Sequence, residues 1–103
     1  EAFHTVFGRL PSRYASHSYD AANLLISALK KAGGAGDKDA FRAALKEADF
    51  VSVRGAFKFD SNNHPIQDIY VREVVKEGDV LTNKIVGVGL KQRSNAYVGD
   101  CKM

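Results

Sequence analysis

The stretch Tyr19–Gly34, YDAANLLISALKKAGG, carries the strongest local signal in the chain. Ala22, Leu25, Ile26 and Leu29 fall at i, i+3, i+4 and i+7, the spacing of one face of an α-helix. Leu24 and Ala28 widen that stripe, while Asn23, Ser27, Lys30 and Lys31 fall outside it. Ser18 reads as the N-cap, and Asp20 as an acidic residue in the first turn, where the positive end of the helix dipole favours it. Two lysines in the last turn and Gly33-Gly34 just beyond supply the stop signal. The spacing predicts a helix over 19–32 whose apolar face needs a cover.

A second helix follows, with Asp37 as its cap and Phe41, Ala44, Leu45 and Ala48 at helical spacing. The intervening Ala35-Gly36 is too short for a domain linker, so the two helices form an αα-hairpin, and a sheet is the usual partner for such a pair. The period then switches to two. Val51, Val53, Phe57 and Phe59 share one side of a stretch whose other side holds Ser52, Arg54, Ala56 and Lys58, which predicts a half-exposed strand with Gly55 at a bulge. Asp60-Ser61-Asn62-Asn63 is a turn by composition. Ile69–Val75 and Val80–Val88 read as strands joined by a turn at Lys76–Asp79, an antiparallel hairpin. Residues Leu90 to Met103 are weakly helical or irregular. Ahead of the first strong helix, Phe3 and Phe7 lie one turn apart in a weakly helical segment that Gly8 and Pro11 interrupt. Pro11–Ser18 reads as a polar loop holding Tyr14 and His17. The element order is that of an α/β fold.

At 103 residues the chain is one small domain's worth, and 26% charged with 45% hydrophobic residues is ordinary globular composition. No apolar run is long enough to cross a bilayer. Residue 1 is Glu and no cleavable signal is visible, so the chain is expected to have been processed or cut from something longer. The net charge of +3 comes from basic residues scattered among acidic ones. A nucleic-acid binder gathers its Lys and Arg on one face with interleaved aromatics, so nucleic acid is not an expected partner. A single cysteine, Cys101, excludes a disulfide within the chain but not one to a partner thiol elsewhere.

No catalytic constellation stands out. Ser16 and Ser18 flank His17 too closely for a nucleophile and a base held by separate elements, and no glycine-flanked nucleophile elbow surrounds either serine. His4, His17 and His64 lack any metal-ligand spacing. Asp60-Ser61-Asn62 resembles the start of a calcium loop but has Pro65 at the sixth position and Val71 at the twelfth. Cys101 has no His or Asp pattern beside it and reads as an inert tail thiol. Neither a cofactor nor a metal is expected, and the chain is not read as an enzyme. Tyr14 is the residue of interest, an aromatic leading into the N-terminal end of a strong helix. Such side chains can line ligand pockets or pack on the helices below them.

The run Pro11-Ser12-Arg13-Tyr14-Ala15-Ser16-His17-Ser18-Tyr19-Asp20-Ala21-Ala22 resembles a signature of the solute receptors similar to the leucine/isoleucine/valine-binding protein. Members show a Pro, an aromatic-containing loop, then Tyr-Asp-Ala opening a long helix. Ala28–Gly33 resembles the end of that helix, Phe41–Leu45 the next helix, and Val53-Arg54-Gly55-Ala56-Phe57-Lys58-Phe59-Asp60 the family's Gly-x-x-x-Phe-Asp strand. One departure is Asn63, where the family has Gly after Phe-Asp-x-x. Asparagine tolerates the left-handed conformation, so the turn is expected to survive.

The resemblance implies the C-terminal part of a two-lobe type I periplasmic-binding-protein fold, with residues 1–64 in the first lobe and 65–103 forming hinge-crossing strands and a tail. It implies an extracytoplasmic, periplasmic receptor of an ABC uptake transporter that binds a small organic molecule, an amino acid or aromatic acid, without making or breaking a bond. Tyr14 is then expected to face the ligand, with His17 and Ser16 next to it. The expected partners are the ligand, a membrane permease, and either the N-terminal remainder of the protein or a second copy. The alternative is the ligand-sensing domain of a signalling receptor or regulator with the same fold.

Overall fold

The computed structural model describes residues 2–101. Its elements in order are α1 (Ala2–Phe7), α2 (Arg13–Ala32), α3 (Lys38–Glu47), β1 (Lys58–Phe59), β2 (Pro65–Glu77), β3 (Val80–Arg93) and a 3-10 turn at Val98–Asp100. The chain forms two compact units that divide between Phe57 and Lys58.

The first unit is helical. In α1 the Phe3 and Phe7 rings meet at 4.5 Å between centroids, as their spacing requires. α2 begins six residues earlier than its periodicity predicts, at Arg13 rather than Tyr19. The cap is Ser12, whose Oγ accepts from the Ala15 amide at 3.3 Å, and not Ser18. Arg13–Ser18 contains no helix breaker, so once Ser12 satisfies a free N–H the polar stretch continues the helix. At the other end Gly33 takes a left-handed φ of 70°, and the Gly34 amide donates to Leu29 O at 2.9 Å. Asp37 caps α3 as expected, accepting from the amides of Asp39 and Ala40.

α2 and α3 pack through small side chains: Ala28 and Ala44 are buried, as is Ala48 at the end of α3. Lys31 pairs with Glu47 across the two helix ends. The stripe predicted to be core is not on this contact. Leu25, Ile26 and Leu29 are 47%, 50% and 39% exposed, whereas Ser27 and Asn23, predicted to face out, are half-buried. Alanine lets two helices approach closely, so the α3 side of α2 is its small-residue side. The larger aliphatic residues form a second face that nothing in this unit covers.

Residues 51–57 are not the predicted strand. Val51 is 90% exposed, and Ser52–Ala56 folds into turns with Gly55 at φ 100°. The reason lies in α2. Asp20, buried at 8% exposure, accepts from the Ser52 hydroxyl at 2.5 Å and from the Val53 amide at 3.0 Å. Those bonds draw the loop onto the helix and leave Gly55 as a turn residue rather than a bulge. Asp20 is therefore an interior helix residue with a tertiary partner, not a first-turn charge.

The second unit is a three-stranded antiparallel sheet in the order β1-β2-β3. The Asp60–Asn63 turn joins β1 to β2. Asn63 takes φ 58° and its amide donates to Asp60 O, so asparagine does supply the left-handed residue. β2 and β3 run well beyond their predicted ends and turn at Gly78, φ 62°. β3 reaches Arg93, into the segment read as irregular. Three register shifts between Gln67 and Arg72 bulge the ribbon. One is held by Asp68, which accepts from the amide of left-handed Gln92 at 2.8 Å. Cys101 is exposed, and Lys102 and Met103, the end of the predicted tail, lie outside the described residues.

Candidate functional site

The early start of α2 changes the surroundings of all three candidate residues. Tyr14, Ser16 and His17 sit on the first two turns of a 20-residue helix, not on a loop. Tyr14, His17, Ala21 and Leu24 follow the i, i+3, i+7, i+10 spacing and share one face. Ser16 lies round the helix from them. Its hydroxyl donates to Arg13 O at 2.7 Å, a local bond within the helix.

A concavity of about 190 Å³ opens on that face. His17, Asp20, Ala21 and Leu24 form its helix wall, and Phe50, Arg54 and Phe57 its loop wall. The Phe50 and Phe57 rings lie 5.2 Å apart at 57°, a tilted aromatic pair. The loop wall depends on the bonds that Asp20 accepts, since Ser52 and Val53 are the residues through which the loop is tied to the helix. The Ser52 hydroxyl also accepts from the Arg54 amide at 3.0 Å, which orients the backbone at Arg54.

Tyr14 stands one turn nearer the helix N-terminus and is 67% exposed. The Arg13 guanidinium lies 5.0 Å from the Tyr14 ring centroid and donates to its hydroxyl at 3.2 Å. This cation and ring form one surface feature at the positive end of a long helix dipole. His17 thus joins the concavity, Tyr14 borders it on the same face, and Ser16 does not line it.

Sequence reasoning missed Arg54, Phe50 and Phe57, because a regular strand through 51–59 puts Arg54 and Phe57 on opposite sides. The signal that could have found them is Asp20, a carboxylate amid the apolar spacing of α2 that needs a tertiary partner. Among the described residues no group of three His, Cys, Asp or Glu side chains could hold a metal ion, and no helix is long and apolar enough to cross a membrane.

A solved structure is similar to this chain: the solute-binding protein of an ABC transporter from R. palustris, in complex with benzoate. It is 29% identical, with a TM-score of 0.80 over 98% of this chain and 27% of that one. The chain thus spans about a quarter of the length of that protein. No curated protein matches the sequence. The family described as periplasmic binding protein matches residues 1–79, more than half of the chain. The capped helix pair and the antiparallel sheet occur in the order the resemblance implied, with the Asp20-anchored loop in place of most of the strand expected over 53–60, and the chain belongs to the periplasmic binding protein family.

Proposed function

We propose that this chain is part of the extracytoplasmic receptor of an ABC uptake transporter, and that the receptor captures a small aromatic carboxylic acid. The observation that carries the reading is the benzoate complex of the R. palustris relative, to which 98% of this chain aligns. An aromatic acid is favoured over an aliphatic amino acid on that ground. Residues 1–64 belong to one lobe of the receptor, and 65–103 supply strands that cross to the other. The ligand is held by non-covalent contacts, the lobes close on it by hinge motion, and the closed form docks on the membrane permease. Tyr14 and His17 face the ligand, supported by their common helix face. Ser16, with its proton committed to Arg13 O, contributes at most an acceptor oxygen.

Calorimetric titration of the full-length receptor with benzoate and with leucine tests the reading. Saturable binding of benzoate is expected, with a melting temperature that rises with ligand concentration because only the native state binds. Failure to bind benzoate or any related aromatic acid refutes the aromatic-acid receptor.

A further inference from the structure

Arg13 lies four residues before His17 and Tyr14 three, so both stand about one helical turn, roughly 5.4 Å, beyond His17 at the N-terminal edge of the concavity. The concavity exposes almost wholly apolar surface, which suits a ring and offers little to a carboxylate. Its edge is different. There the Arg13 guanidinium donates to the Tyr14 hydroxyl at 3.2 Å and lies 5.0 Å from the centre of the same ring. A tyrosine hydroxyl carries one proton and can also accept. In the bond to Arg13 it is the acceptor, so its own proton is left for a second partner, and among the described residues none accepts it. Arg13 has no carboxylate within ion-pair distance among the described residues. Asp20, two turns along the same face, is committed to Ser52 and Val53. The edge therefore carries an unpaired positive charge beside an available O–H.

We infer that Arg13 sets the Tyr14 hydroxyl as a hydrogen-bond donor to the ligand and thereby selects a carboxylate at this end of the molecule. The inference rests on the receptor reading, in which Tyr14 faces the ligand, and adds the polarity of that contact and the residue that fixes it. Arg13 is a positioning residue: it occupies the hydroxyl as an acceptor, and its charge disfavours a cationic group there. A donor facing an ionised acceptor makes a bond about twice as strong as a neutral pair, which separates a carboxylate from a carboxamide of the same shape.

Calorimetry on the full-length receptor tests this with benzoate and benzamide, which share a ring and differ in the charge of the polar group. Both side chains are exposed, so substituting them leaves the core intact. Tyr14→Phe removes only the hydroxyl and is expected to weaken benzoate roughly ten-fold and benzamide less, so that their affinity ratio falls. Arg13→Met is expected to weaken benzoate roughly three- to ten-fold in the parent and to add little in the Tyr14→Phe background, because Arg13 acts through the hydroxyl. Arg13→Lys keeps the charge and a donor and is expected to recover part of that loss. Equal losses from Arg13→Met in the two backgrounds overturn the positioning role. An unchanged benzoate-to-benzamide ratio in Tyr14→Phe overturns the hydroxyl as the donor, while the receptor reading stands. Absence of benzoate binding in the unsubstituted protein overturns both.

Discussion

Replacing Asp20 with alanine removes the acceptor that joins α2 to the loop after α3. The carboxylate accepts from the Ser52 hydroxyl at 2.5 Å and from the Val53 amide at 3.0 Å, and it is 8% exposed. Hydrogen bonds to a charged group contribute about 1.5–3 kcal/mol each, which sets a gross loss of roughly 3–6 kcal/mol. Val53 is 59% exposed, so its amide regains a water once the loop is released. Ser52 is half-buried and recovers less. The expected net cost of Asp20→Ala is therefore about 2–3 kcal/mol, below the gross figure because part of the desolvation is relieved. Asp20→Asn keeps one acceptor oxygen and is expected to lose about half as much.

Urea unfolding of the full-length protein reads this as a lower midpoint at unchanged slope, and hydrogen exchange at the Val53 amide reads it locally. Ser52→Ala made in the Asp20→Ala background is expected to add little, because the shared interaction is already gone. A change below about 0.5 kcal/mol for Asp20→Ala, the range of ordinary surface substitutions, would falsify the anchor. So would a Val53 amide that exchanges no faster than in the parent.

Three further outcomes are expected. Tyr14→Ala in the full-length receptor should weaken the aromatic acid by about ten- to several-hundred-fold, roughly 1.4–3.5 kcal/mol, with the unliganded melting temperature within a few degrees; unchanged affinity in calorimetry makes Tyr14 a surface residue only. Ala28→Leu, at 1% exposure between α2 and α3, should cost about 1–3 kcal/mol by overpacking, and a thermal melt matching the parent would refute the tight alanine contact. The Lys31 ammonium is held above its ordinary 10.5, chiefly by its hydrogen bond to Glu47, which outweighs an opposing desolvation, with help from the charges of Glu47 and Asp49. The folded state binds that proton more tightly, so the stabilisation is fully present below 10.5 and is lost as pH rises through the higher folded value. The effect of Lys31→Gln on the melting temperature should accordingly be constant around neutrality and vanish in strong alkali, and a pH-independent difference would count against the ion pair.

Local chemistry was legible in the sequence wherever one residue sufficed to state it. Asp37 could be read as a cap because a carboxylate before a helical spacing satisfies free amides within its own turn. Gly33 and Asn63 could be read as left-handed because few other residues tolerate that backbone. The hairpin of β2 and β3 followed from two β-branched runs around Gly78. The ordered pieces from Pro11 to Asp60 carried the family. Periodicity also found the apolar residues of α2, but it could not say which of two faces meets α3. That depends on how closely two helices can approach, and small Ala28, Ala44 and Ala48 won over larger Leu25, Ile26 and Leu29.

The site shows the same division. Tyr14 and His17 were visible as residue types near a helix start, yet their common face exists only because Ser12, not Ser18, opens the helix. Arg54 and the two phenylalanines became neighbours of His17 through a contact 32 residues apart in sequence, Asp20 to Ser52. Alternation over 51–59 favoured a strand, and two hydrogen bonds to a buried carboxylate outweighed it, because β-propensity differs by only about 1 kcal/mol among residues while each such bond contributes as much or more. What the sequence determined by itself was the set of caps, turns and periods, which act within a few residues. Tertiary structure alone decided which face is buried and which side chains share a pocket, since those outcomes rest on shape and on hydrogen-bond partners that are distant in the chain.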